Sequence, residues 1–99
     1  MKTRIFKVSG DTMPDLLEKA ILTNLLHDCD SKRYDVLKLV CMGQLATYNC
    51  VKGLASATNL AQRMGHDIIG TTKYETTTAK DTQGEWVTMS CIVFEVCLG

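Results

Sequence analysis

Proline is nearly missing from this chain: Pro14 is the only one among 99 residues. That excludes collagen-like and polyproline architectures, and no low-complexity stretch or linker interrupts the sequence. An excess of charge is missing as well. Eleven Lys and Arg balance eleven Asp and Glu, for a formal net charge of zero. A strong non-specific DNA binder carries a basic excess, because phosphate contacts drive its affinity. The balance counts against that class and leaves room for a local basic patch. No apolar run approaches the roughly 18 residues of a membrane span, so no membrane partner is expected. Histidine is confined to His27 and His66, and neither stands at ligand spacing from a cysteine. No phosphate-binding glycine loop, serine-nucleophile elbow or metal-ligand cluster occurs. His66-Asp67 has no nucleophile beside it. The expectation is a non-enzymatic protein with no cofactor and no metal.

The five cysteines are Cys29, Cys41, Cys50, Cys91 and Cys97. Their number is odd and no Cys-x-x-Cys pair occurs, so reduced thiols packed as small hydrophobes are expected. The opening Met-Lys-Thr-Arg runs straight into strand-like sequence, which predicts no secretory signal and a cytoplasmic location.

What is present is a globular composition, 45% hydrophobic and 22% charged. The length predicts one domain over residues 1–99. A chain this short builds a marginal core, which an oligomer interface often supplements. Thr3 to Val8 reads as a strand. Thr12 is placed to cap a helix that has Pro14 in its first turn and Asp15 near the exposed amides. Leu17, Ala20, Ile21 and Leu25 follow at helical spacing, and this helix is expected to run to about Cys29. Asp30 to Arg33 is a polar connection. Tyr34 to Cys41 is nearly continuously apolar, as in a central strand buried on both faces. A second helix is expected from about Gln44 to Met64. Its buried stripe is Ala46, Cys50, Gly53, Ala57, Leu60 and Met64, with Gly65 as terminator. Asp67 to Thr78 and Trp86 to Leu98 are long strands around the polar turn 79–84, an extended hairpin. The order β-α-β-α-β-β predicts an α/β (α+β) two-layer sandwich. Its four-stranded mixed sheet carries two helices on one face.

The approach to the second helix, Val40-Cys41-Met42-Gly43, leads to Ala46 and then Asn49-Cys50-Val51-Lys52-Gly53-Leu54-Ala55-Ser56-Ala57. With the opening Phe6-Lys7-Val8-Ser9, this resembles the stage V sporulation protein S family over nearly the whole chain. Cys50 and Gly53 stand where that family usually has Ala. The family is similar to the archaeal Alba proteins. The resemblance implies an Alba-like fold, a homodimer or higher homo-oligomer, and binding of DNA or RNA. It also implies a hairpin that reaches toward the nucleic acid.

The residues supply candidates of their own. Gly43 and Gln44 open the second helix, where free amides attract anions; the alternative is a glycine required by the turn. Asn49 and Lys52 lie three apart and are expected on one helix surface, as a phosphate or base contact or as a solvated or interface face. Lys73, Tyr74, Lys80 and Trp86 place basic residues beside aromatics on the hairpin, a pattern suited to single strands. Glu75, Asp81 and Glu85 offset that charge, and an ordinary solvated hairpin with Trp86 packed at its base is the alternative. Lys7, with Lys2, Arg4, Lys32 and Arg33, offers a diffuse basic rim; Arg4 and Lys7 cannot share a strand face. The expectation, which rests on the resemblance and is placed on these candidates, is a small dimeric nucleic-acid-binding module with a regulatory role. The alternative is a regulatory or assembly protein acting through a protein partner.

Overall fold

The computed structural model describes residues 2–26 and 34–99, apart from the side chain of residue 79. Six elements follow one another: β1 (Thr3–Val8), α1 (Pro14–Leu26), β2 (Val36–Cys41), α2 (Gln44–Arg63), β3 (Ile68–Lys80) and β4 (Trp86–Leu98). The sheet order is β1-β2-β4-β3, with β1 parallel to β2 and the other pairs antiparallel. This is the expected mixed four-stranded sheet with two helices. Among the described residues no helix is long and apolar enough to cross a membrane.

Strand pleating divides the sheet into two unlike faces. Leu37, Leu39 and Cys41 of β2 point to the helices, opposite Val96, Phe94 and Ile92 of β4. Leu37, Leu39, Cys41 and Val96 form one core with Leu17, Ile21 and Leu25 of α1 and Ala46, Cys50 and Ala57 of α2, with Phe94 packed against it. β2 is central, as expected, but only one of its faces is fully buried. Val36, Lys38 and Val40 are half-buried, because among the described residues no helix lies over the face they occupy.

On that open face the sheet carries its own cover. Lys38 Nζ lies 3.0 Å from Glu75 Oε2. Lys73 Nζ lies 3.4 Å from the same oxygen and 3.2 Å from Glu95 Oε1. The four side chains surround Val93, which pairs with Lys73 on one side and Val40 on the other. Val93 is fully buried although, among the described residues, no helix lies over it; long charged side chains can shield a neighbour with their aliphatic stems.

The helix ends correct the sequence expectations in instructive ways. Thr12 is not the cap of α1. Its Oγ1 accepts the Ser9 N–H at 2.9 Å and its own N–H donates to Ser9 O at 3.1 Å, closing a turn. The first helical bond runs instead from Leu17 N–H to Met13 O. The expected continuation of α1 to Cys29 and the connection 30–33 lie outside the described residues. β2 starts at Val36 and not at Tyr34. In α2 the inner stripe is Ala46, Cys50, Gly53, Ala57 and Ala61, joined by Asn49. Steps of four, three, four and four follow the helical period, so Leu60 is only half-buried and Met64 is exposed. A Cβ added at Gly53 would stand 3.1 Å from Leu17 Cδ2, so the two helices are in close contact there.

β3 runs two residues further than expected, and the hairpin pairs thirteen residues on each strand without a bulge. Asp81 Oδ1 ties the turn by accepting the Gln83 and Glu85 N–H groups, each at 2.9 Å. Gly70 marks the tightest strand contact. A Cβ there would collide with the Glu95 carbonyl oxygen and come within 2.7 Å of Val96 Cγ1.

The open-face network sets a pH dependence. The hydrogen bond from Lys38, then that from Lys73, holds the Glu75 carboxyl below the usual carboxylate range. Its contribution to stability is therefore complete above the unfolded value of about 4.3 and is lost as pH falls through the depressed folded value. Lys73 is raised, chiefly by Glu95 and then by Glu75. Its contribution is complete below about 10.4 and lost as pH rises through the raised value. Urea titrations across pH are expected to show that Glu75→Gln chiefly flattens the acid limb and Lys73→Met chiefly the alkaline limb, each with a smaller effect on the other limb because the two groups shift one another. An unchanged acid limb in Glu75→Gln would show that the network does not act on stability.

Candidate functional site

The junction of β2 and α2 is built on one backbone conformation. Gly43 has φ +92° and ψ 166°, a region essentially reserved for glycine. It turns the chain sharply from the sheet into a 20-residue helix. No side chain caps that helix. Thr47 bonds back to Gly43 O through both its N–H (3.1 Å) and its Oγ1 (2.9 Å). The start of α2 lines a groove of about 450 Å³ between the helix and the hairpin. Gly43, Gln44, Thr47 and Tyr48 form one wall, and Tyr74, Ser90 and Ile92 form the other.

Cys41 and Cys91 contribute to the floor. Cys41 also meets Cys50 in the core, where both are fully buried. The thiol hydrogen bond between them holds Cys41 below the usual thiol value and pushes Cys50 above it. All four cysteines among the described residues are free, as the sequence suggested, and this pair acts as small core residues.

Aromatic side chains line the rest of this side of the molecule. Tyr48 is 59% exposed, Tyr74 79% and Trp86 69%. Tyr74 pairs with Ile92 and Lys80 with Trp86, so by strand alternation all three hairpin side chains point to the helix side. Lys52 Nζ sits 5.3 Å from the Tyr48 ring, and Lys80 Nζ sits 5.3 Å from the Trp86 ring. Each cation thus lies within the range of attraction to its ring. From Ile92 to Trp86 the strand covers about 20 Å at its usual rise. The three rings therefore mark a path from the helix start to the hairpin tip. Asp81 lies near the tip, but its carboxylate is held by the amides of the turn.

Not every candidate read from the sequence reaches this surface. Gly43, Gln44, Lys52 and Lys80 do. Asn49 does not. It is 9% exposed, and its Nδ2 donates to Gly10 O at 3.1 Å, tying α2 to the loop after β1. Asn49 and Lys52 are neighbours on the helix, but Asn49 lies at the edge of the buried stripe and is engaged by Gly10, while Lys52 is exposed, so they do not form a shared contact surface. Lys73 points to the open face and is held by two carboxylates. Lys7 is exposed on that same open face, by its pairing with Val40. Arg4 turns to the helix side, where Nη1 donates to Asn24 Oδ1 at 3.1 Å. Trp86 is not packed at the hairpin base. Lys32 and Arg33 lie outside the described residues.

Tyr48 is the site residue that sequence reasoning missed. Its signal was an aromatic four residues before Lys52 on the polar side of an amphipathic helix, where hydrophobic burial gives no reason for it.

Two measurements check this geometry. Gly43→Ala meets nothing within 4 Å of the added Cβ, so its cost is backbone strain alone, about 1–3 kcal/mol, read by urea denaturation. A neutral substitution would remove the strained junction. Trp86 is the only tryptophan, so intrinsic fluorescence reports it directly. The expected emission is that of a water-exposed indole, quenched readily by acrylamide; a blue-shifted, protected emission would contradict the exposed placement.

No protein-family model and no curated protein matches this chain, so its function is argued from the site itself.

Proposed function

We propose that this protein is a non-enzymatic nucleic-acid-binding module that prefers single-stranded RNA or DNA. The observation that carries this reading is the row of exposed aromatics Tyr48, Tyr74 and Trp86, two of them with a lysine over the ring. Bases stack on such rings with little regard for sequence, and the neighbouring ammonium groups take phosphates. The uncapped start of α2 adds amide donors at one end of the path. Rigid duplex offers the rings no unstacked base, so duplex DNA is the weaker ligand. The resemblance of the second helix to the stage V sporulation protein S family agrees with this reading. Zero net charge goes with moderate affinity and few ion contacts.

A protein partner is the second reading. It is favoured by Met42, Leu45 and Val51, which are exposed on or next to the first half of α2.

Fluorescence anisotropy with short labelled RNA, single-stranded DNA and duplex DNA separates the two. Single strands are expected to bind more tightly than duplex, and binding weakens as salt rises. Trp86→Ala and Tyr48→Ala are each expected to weaken it about 5- to 150-fold, since stacking is worth roughly 1–3 kcal/mol per base. Lys52→Ala and Lys80→Ala reduce affinity and the salt slope together. No binding to any of the three at low salt would overturn the nucleic-acid reading and leave the protein partner.

A further inference from the structure

Beneath the groove lies a pair of thiols that the proposed ligand path does not use. Cys41 is the last residue of β2, and Cys50 lies on the inner stripe of α2. After Cys41 the chain turns at Gly43 and α2 folds back against the sheet. From Gln44 back to Cys41, extended chain covers about 10 Å. From Gln44 forward to Cys50, helix covers about 9 Å. The two cysteines are therefore level, and both belong to the same buried cluster. Their side chains meet in a thiol hydrogen bond. The other described cysteines do not share this contact. Cys91 pairs with Glu75 and Cys97 with Ile69, so strand parity sends both to the open face, where the Cys91 thiol donates to Glu75 O at 3.4 Å. We propose that Cys41 and Cys50 are a redox modification site, at which hydrogen peroxide forms a reversible disulfide that fixes the helix wall of the groove.

The two thiols differ. The thiolate, and not the thiol, is the nucleophile. The hydrogen bond from Cys50 holds Cys41 below the usual thiol value, and the same bond pushes Cys50 above it. Cys41 is therefore the attacking group. Its sulfur bonds to one peroxide oxygen as the O–O bond breaks, which leaves a sulfenic acid on Cys41. The second oxygen departs as hydroxide and takes up a proton to become water. The Cys50 sulfur then attacks the sulfenic sulfur. The S–S bond forms, the S–O bond breaks, and the hydroxyl leaves with the Cys50 proton as a second water. Two thiols lose two electrons, and one peroxide is reduced to two waters. A thiol reductant reverses the reaction by exchange. Both sulfurs are fully buried, so peroxide arrives by local opening. The start of α2 is the place for it. Cys41 lines the groove there, no side chain caps the helix, and Thr47 ties its first turn to Gly43.

The disulfide closes residues 41–50 into a ring. Gly43, Gln44, Thr47 and Tyr48, the whole helix wall of the groove, lie inside that ring. In the reduced protein the wall is held by packing and hydrogen bonds, and it opens from the helix start. In the oxidised protein a covalent bond anchors it to the end of β2 and restricts that opening. The site thus couples redox state to the firmness of one wall, whatever the groove binds.

The test uses the tryptic peptide Leu39–Lys52, which carries both cysteines. Folded protein is treated with hydrogen peroxide, the excess is removed with catalase, and free thiols are labelled with iodoacetamide in urea. The wild-type peptide is expected to lose both labels, and to regain both when dithiothreitol precedes labelling. In Cys50→Ala the reaction stops at the sulfenic acid of Cys41, which dimedone traps. In Cys41→Ala, Cys50 keeps its label. Amide hydrogen exchange over residues 44–49 is expected to slow on oxidation and to recover on reduction. Wild-type thiols that remain labelled after peroxide overturn the proposal. So does a loss of label that dithiothreitol does not restore, a Cys41→Ala protein in which Cys50 is consumed, or a disulfide that leaves exchange over 44–49 unchanged. No nucleic acid is present, so this outcome is independent of the anisotropy result.

Discussion

The inner side of α2 carries nothing bulkier than asparagine. Ala46, Cys50, Gly53, Ala57 and Ala61 let the helix lie close to the sheet, and Gly53 receives Leu17 where the two helices touch. Packing at that distance leaves little freedom in the placement of the helix. Everything on its outer side inherits that position. Tyr48 stands across a groove from Tyr74, Lys52 lies over Tyr48, and the uncapped amides meet the end of β2. A larger residue on the inner stripe would lift the helix and separate the walls of the groove.

The two faces of the sheet solve different problems with the same kinds of residue. Lysines and glutamates on the open face balance one another and cover Val93, so their charge is spent locally. On the helix side two lysines lie over aromatic rings instead of carboxylates. A net charge of zero therefore does not say which cations are paired with carboxylates and which lie over rings.

Much of the fold was legible from local pattern. β1 and β4 have the limits that their β-branched and aromatic content suggested, and Gly43 and Gly65 bracket α2 as turn-forming residues do. Type and spacing did not show which polar residues are engaged. Thr12 is held by Ser9 three residues before it, Asn49 by Gly10 and Lys73 by Glu95. Leu60 and Met64 were assigned inward because they are apolar, whereas the period of the helix places Ala61 there.

The sequence by itself determined the element order, the hairpin and the small-residue side of α2, because periodicity and turn chemistry act over a few neighbours. Which candidates share a surface was decided only by the tertiary structure. Strand parity sends Lys80 and Trp86 to one side and Lys73 to the other. Which face of the sheet the helices cover depends on how distant segments pack, and no short window of sequence contains that information. The edge of β3 belongs to both: its alternating charges are written in the chain, but it becomes an edge only because β4 inserts between β2 and β3.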